Sequence, residues 1–251
     1  MRRSKFLGVL LAALGGAILT TSCGEQPTTP ADFETGSALE ALVQPRPVPT
    51  DWSPVIDNEF FPLTPGTVFT YLGENDGEPE LNPVHVTHET RTILGVVCVA
   101  VEDSSYVAGH LLEATIDWYA QSEAGDVWYF GEDTKEFDEQ GHVISTEGSW
   151  LAGVDGAQPG IIMEADPKVG DHYLQEYLPG VAEDQAKVVR LRETVDVPYG
   201  HFTDCLKTKE WTRLEHGVAE NKYYAPGIGF LRSVTIQGGT DHSELVSIGQ
   251  E

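Results

Sequence analysis

The chain has 251 residues, with 15 Lys and Arg against 40 Asp and Glu, for a formal net charge of -25. With 40% hydrophobic and 9% aromatic residues it can bury a core, which excludes a disordered acidic tail. So large an excess of carboxylates repels phosphate backbones and anionic headgroups, so no nucleic-acid partner is expected; cations, divalent ions and neutral ligands remain.

The N-terminus carries Arg2-Arg3-Ser4-Lys5, the apolar run Phe6 to Leu19, then Thr20-Thr21-Ser22-Cys23. A charged start, a short apolar stretch and small residues before a cleavage point read as a secretory signal over 1–22, too short for a transmembrane anchor. Leu19-Thr20-Thr21-Ser22-Cys23 resembles the lipobox of bacterial lipoproteins, which implies lipidation of Cys23, attachment to a membrane and an extracytoplasmic location. Removing 1–22 takes away three basic residues and no acid, leaving 12 basic against 40 acidic, or -28. The remaining cysteines, Cys98 and Cys205, form an even pair. A disulfide between them and two buried thiols are both open.

From 23 to 56 a Pro-rich tether is expected, with a short helix at Ser37-Ala38-Leu39-Glu40, which has capping-box spacing. From 57 to 251 the pattern is β. Thr67–Tyr71, Val84–Leu94, Val96–Glu102, Leu111–Gln121 and Val127–Phe130 are rich in Val, Ile, Thr, Tyr and Trp between Gly, Asn and Asp turns. His172–Leu178, Lys187–Val197, Cys205–Leu214, Val218–Tyr224, Phe230–Ile236 and His242–Ser247 repeat the theme. The fold class is therefore all-β: a large curved antiparallel sheet or incomplete barrel of roughly ten strands, with little helix.

The two sets resemble each other. Gly66, Cys98 and Tyr119 in the first answer Gly170, Cys205 and Tyr224 in the second, in the same order and at nearly constant separation. Two similar halves, 57–135 and 165–251, are expected, joined by a Gly-rich crossover from 136 to 164.

Alternation on Leu111–Gln121 puts Leu112, Ala114, Ile116, Trp118 and Ala120 on one face, read as the core face. Glu113, Thr115, Asp117, Tyr119 and Gln121 occupy the other, which suits solvent or the wall of a polar cavity. Glu113 and Asp117 are the candidate acid/base residues. Glu176, Glu183 and Asp184 read as surface charge. Trp118, Tyr119, Trp128, Tyr129, Tyr223 and Tyr224 are the candidate ligand-binding residues, because aromatic residues with polar handles line apolar pockets. His85 and His88, three apart on a strand, face opposite ways unless a bulge intervenes, which argues against zinc. Asp126, Glu132 and Asp133 flank a turn with hard oxygen donors and are the candidate calcium ligands. Nucleophile elbows and phosphate-binding glycine loops are absent.

Phe60-Phe61-Pro62-Leu63-Thr64-Pro65-Gly66-Thr67-Val68-Phe69-Thr70-Tyr71 resembles the start of the first strand in uncharacterised exported bacterial lipoproteins. Tyr223-Tyr224-Ala225-Pro226-Gly227-Ile228-Gly229 is similar to a turn of a periplasmic domain of unknown function grouped with the outer-membrane lipoprotein carriers. The resemblance implies an unclosed β-barrel around an apolar cavity. The expected function is a lipid-anchored, extracytoplasmic binding module for a small apolar molecule, a lipid or a glycan. An extracytoplasmic hydrolase using carboxylates and a divalent ion, and a structural or assembly lipoprotein, are the alternatives.

Overall fold

The computed structural model describes residues 43–251. The signal, Cys23 and the helix expected at 37–40 lie outside the described residues. Among the described residues there is no helix; every segment of regular structure is a strand.

Five long strands come first: β1 (Thr67–Asn75), β2 (Glu78–Ile93), β3 (Val96–Val107), β4 (His110–Gln121) and β5 (Val127–Phe137). Each pairs antiparallel with the next. Their links are tight: Leu94 and Gly95 join β2 to β3 with φ of 51° and 86°, the two left-handed residues that a hairpin turn matching strand twist requires. The crossover that follows holds three short strands, β6 (Val143–Ser145), β7 (Trp150–Leu151) and β8 (Gln158–Met163), all paired with β5. Next come β9 (His172–Leu174), β10 (Glu176–Tyr177), β11 (Asp184–Val197), β12 (Gly200–Thr212), β13 (Ala219–Ala225), β14 (Gly229–Gln237) and β15 (His242–Gln250). The strand count exceeds the ten expected because the crossover and the segment after it add short strands.

Two runs of strands pair in chain order. β1 to β5 pair in succession, and so do β9, β11, β12, β13 and β14. Gly66 N donates to Val86 O at 2.7 Å ahead of the first meander, and Gly170 N donates to Val188 O at 2.9 Å ahead of the second. Cys98 and Cys205 are buried free thiols whose Sγ atoms lie 3.7 and 3.8 Å from the carbonyls of Val96 and Thr203, each two residues back. Of the two options left open by sequence, the structure therefore contains the pair of thiols. β15 joins the meanders by pairing with β14 on one side and along β1 on the other.

The sheet nearly closes into a barrel, and its closure rests on six residues. β9 pairs with β11; after Gln175, β10 pairs with β8. One short segment thus holds both ends of the sheet, and a nearly closed barrel leaves few unpaired edges to water. Gln175 fixes the switch: its backbone N–H donates to Asp184 O at 2.8 Å and its side-chain amide donates to Glu210 at 3.1 Å. Gly160 of β8 makes the seam possible, since a Cβ there would lie 2.3 Å from Gln175 C and 2.6 Å from Leu174 O.

The stretch from 46 to 63, most of it expected to be tether, instead lies against the barrel. Arg46 pairs with Glu164 at 2.5 Å. Trp52 bridges to Ser122 and packs edge-on over Trp128 and Phe130, with ring centres 6.2 and 5.3 Å apart. Composition misleads here because one tryptophan and one arginine supply the anchoring that a hydrophobic run would otherwise give.

Replacing Gly160 with Ala should cost about 2–4 kcal/mol, the range for overpacking at a site that must shift backbone. Chemical denaturation checks this; an unchanged midpoint would show that the seam is looser than described.

Candidate functional site

Of the two readings open for the Glu113–Gln121 face of β4, solvent and cavity wall, the structure turns that face inward, while Trp118 and Ala120 of the other face are buried as well. Thr115, Asp117, Tyr119 and Gln121 are all buried, with Asp117 only 1% exposed, whereas Leu112 is 37% exposed. The carboxylate face points into the barrel. The reason lies in the register. Asp117 pairs with Val101 and with Glu132, and Thr115 pairs with Asp103 and with Thr134, so β3, β4 and β5 turn the same kind of row inward. Strand alternation alone tells which residues share a face, not which face is inside. Glu176, expected at the surface, is likewise 1% exposed.

The interior of the first meander is therefore lined by carboxyl groups. Asn82 Nδ2 donates to Asp103 at 2.5 Å, Ser105 donates to Glu80, and Tyr129 OH donates to Asp117. The same phenol oxygen lies 3.1 Å from Glu132. A phenol has one hydrogen to give, so Tyr129 donates to one of the two carboxyls and the other contact needs a proton on the carboxyl itself. Asp103 Oδ2, Asp117 Oδ2 and Glu132 Oε1 are buried without a hydrogen-bond partner.

Burial sets the charge state of these groups. It pushes Asp103 up to about 7, with Glu80 adding to the rise against the opposing Asn82 hydrogen bond and Lys222 charge. Asp117 is held well above the usual carboxylate range by burial and then by Asp103. Glu132 is raised by burial, Glu176 and Asp117, and Glu176 by burial and Asp184. Glu113 is raised by burial and by Asp103, Glu136 and Asp117. Glu80 is raised by burial, against its hydrogen bonds with Ser105 and Asn75. These carboxyls are protonated over a pH range in which exposed ones are not.

The second meander solves the same problem with an ion pair. Lys222 Nζ lies 2.9 Å from Glu210 and 3.2 Å from Glu220. Glu210 also accepts from Thr208 at 2.7 Å, Tyr224 at 3.0 Å and Gln175 at 3.1 Å. Its pKa is lowered: burial is the largest influence and opposes this, but Lys222 and the hydrogen bonds outweigh it.

A small apolar pocket, a cavity of about 30 Å³, lies beside the acid rows. Phe69 and Tyr71 of β1, Val84 of β2, Val101 of β3, Tyr119 of β4 and Phe230 of β14 form its walls, and Phe61, Pro62 and Leu63 its roof. Phe61 meets Tyr119 edge-on at 5.4 Å, and Tyr71 meets Phe230 at 5.1 Å. Tyr71 OH donates to Phe230 O at 3.2 Å, which satisfies that phenol inside the wall. The roof is tied down on both sides. Gln121 Oε1 accepts from the N–H groups of Asp57 and Asn58 at 2.9 and 2.8 Å, Asn58 Nδ2 donates to Gly125 O at 2.9 Å, and Gly227 N donates to Glu59 O at 2.7 Å.

The six candidate aromatic residues do not converge on this pocket. Tyr119 lines it and Tyr129 stacks behind Tyr119 at 4.8 Å. Trp118 faces the other way, under the Arg91 guanidinium at 4.3 Å, and Trp128 lies under Trp52. Tyr223 lies beside Lys207, and Tyr224 is spent on Glu210. Sequence reasoning missed Phe61, Phe69 and Tyr71 as wall residues, although all three sit in the Phe60–Tyr71 segment. Glu113 and Asp117 face inward but do not line the pocket.

The proposed calcium ligands are separated. Asp126 caps the Ala165 N–H at 2.8 Å, Asp133 pairs with Lys135 at 3.0 Å, and Glu132 points inward. Adjacent positions on a strand, 132 and 133, cannot serve one ion from opposite faces. His85 and His88 come together after all, because a register shift between Val86 and Thr90 turns both toward Glu251, at 2.7 and 3.6 Å. Among the described residues no group of three His, Cys, Asp or Glu is arranged to hold a metal ion.

No family model matches the chain, and no curated protein matches it. Two solved structures match the chain at low similarity. One is a Bacteroides fragilis protein assigned as exported, with a YmcC-like fold, at 20% identity and a TM-score of 0.45 over 77% of this chain and 100% of that one. The other is a Parabacteroides distasonis protein assigned as a lipoprotein, at 11% identity and a TM-score of 0.41 over 76% of this chain and 99% of that one. Likeness of this extent says nothing about activity or ligand.

The carboxyl rows give stability a distinctive pH dependence. In the unfolded chain these groups titrate near 4. The folded chain keeps their protons to higher pH, so their contribution is complete below that range and is lost as pH rises through the folded values. Asp103 alone, pushed up to about 7, should account for a loss of about 2–4 kcal/mol between pH 4 and 8. Urea unfolding across that range should show stability falling, and Asp103→Asn, which keeps the Asn82 hydrogen bond, should flatten the curve. A stability that climbs from pH 4 to 8 would contradict the assignment.

Proposed function

We propose that the chain is a non-catalytic, extracytoplasmic binding module, carried on a lipidated N-terminal tether, that takes a small apolar molecule in the pocket beneath Phe61. The pocket itself carries this reading: its walls are aromatic and aliphatic, its one phenol donor on β1 is already bonded to Phe230 O, and its roof is a loop rather than a strand. An apolar ligand gains roughly 25 cal/mol for each Å² it removes from water, and such a site offers it little else. Export and lipidation rest on the Arg2-to-Cys23 pattern. Hydrolysis is not favoured, since neither Asp117, held in the packed interior, nor the half-buried Glu113 lines the pocket.

A dye that fluoresces in apolar surroundings, 1-N-phenylnaphthylamine, should bind with saturation. Ile228→Trp, at the half-buried rim, should fill the pocket and weaken binding at least about tenfold, while Leu72→Ala on the opposite face of β1 should leave it unchanged. Absence of saturable binding, or equal binding by a folded Ile228→Trp protein, would overturn the reading.

A further inference from the structure

The scarce basic residues of this acidic chain are gathered on one outer surface. Residues 184–237 hold eight of the chain's 15 Lys and Arg and only seven of its 40 acids. Strand alternation then separates the two signs. Asp184 pairs with Thr212, and Glu210 pairs with Ala186 and Glu220, on the inward rows. The outward rows read His172, Lys187, Lys209 and Asn221 in one line, and Arg190, Lys207, Tyr223 and Arg232 in the next. Adjacent strands are about 4.8 Å apart and same-face neighbours about 7 Å, so these cations form a compact stripe.

Three of them are uncommitted. Arg190 pairs with Glu193 at 3.0 Å and Arg232 with Glu244 at 3.4 Å. Lys187, Lys207 and Lys209 form no ion pair among the described residues, despite the excess of acids. Two of them rest beside aromatic rings instead. Lys207 Nζ lies 5.2 Å from the Tyr223 ring centre and Lys209 Nζ 5.6 Å from that of Trp211, which His172 flanks at 5.0 Å. Ring faces beside free ammonium groups are a surface on which the C–H face of a sugar can rest while its carboxylates meet the ammonium groups.

We propose that this face, the outer surface of β11 to β14, docks a linear anionic polysaccharide. Charge complementarity selects a polyanion. The net charge of -25 selects a thin one, because a membrane or a duplex would set its own extended negative surface against the rest of the molecule. A single glycan chain lies along the stripe alone, with its sugar rings on Tyr223 and Trp211 and its carboxylates on the lysines. The proposal is independent of the apolar pocket, whose walls face inward.

The test is titration of the full chain with polygalacturonate, beside neutral dextran, phosphatidylglycerol vesicles and single-stranded DNA. Binding to polygalacturonate at low salt is expected, weakening as salt rises and absent with dextran. The triple variant Lys187→Gln, Lys207→Gln, Lys209→Gln should weaken it at least about tenfold. The triple variant should melt with the wild type because the three side chains project outward; if it does not, Lys207→Gln alone is compared. No binding to polygalacturonate, undiminished binding by the folded variants, or stronger binding to vesicles or DNA would each overturn the proposal. Dye binding in the pocket should be unaltered by the variants.

Discussion

Carboxyl groups enclosed in a nearly closed barrel must be neutralised, and the organisation of this molecule follows from that constraint. An isolated carboxylate away from water is so unfavourable that it finds a counter-charge or keeps its proton. The two meanders take different routes. On β12 and β13, Lys222 neutralises Glu210 and three further donors satisfy its oxygens. Among the described residues no cation pairs with Asp117 or Glu132, and burial favours their protonated forms beside the Tyr129 phenol.

The pocket lies at the level where the inward rows turn from Asp103 and Asp117 to Val84, Val101 and Tyr119. There the chain before β1 supplies a roof in Phe61, Pro62 and Leu63. Closure of the sheet through Gln175 links the two regions physically, since its side chain reaches Glu210 while its backbone holds the seam. The outer surface answers the inner one: alternation that sends Asp184, Glu210 and Glu220 inward sends Lys187, Lys207 and Lys209 outward.

Much of the strand order was legible, because Val, Ile, Thr and Tyr runs broken by Gly and Asp mark strands and turns directly. The first part of β2 was not, since Pro79, Asn82 and Pro83 lower its strand signal while its register with β1 is fixed from both sides. The inside of the barrel was misread for a deeper reason. Leu112, Ala114 and Ile116 look like a core row and Glu113, Thr115 and Asp117 like a wet one, and only the matching polar rows on β3 and β5 decide otherwise. Asp103 and Ser105, and Glu132, Thr134 and Glu136, carry that signal, but it appears once the register is known. The pocket was legible in its segment, Phe60 to Tyr71, and illegible in its other walls, because Val101 and Phe230 arrive from strands far apart in the chain.

The most direct measurement of the central claim is a carbon-13 titration of the Asp and Glu side-chain carboxyls by nuclear magnetic resonance from pH 4 to 9. Asp117 and Glu132 should keep the chemical shift of the protonated acid at pH 6, with Asp103 changing near 7. Resonances of Asp103, Asp117 and Glu132 that all titrate near 4 in the folded protein would contradict the account.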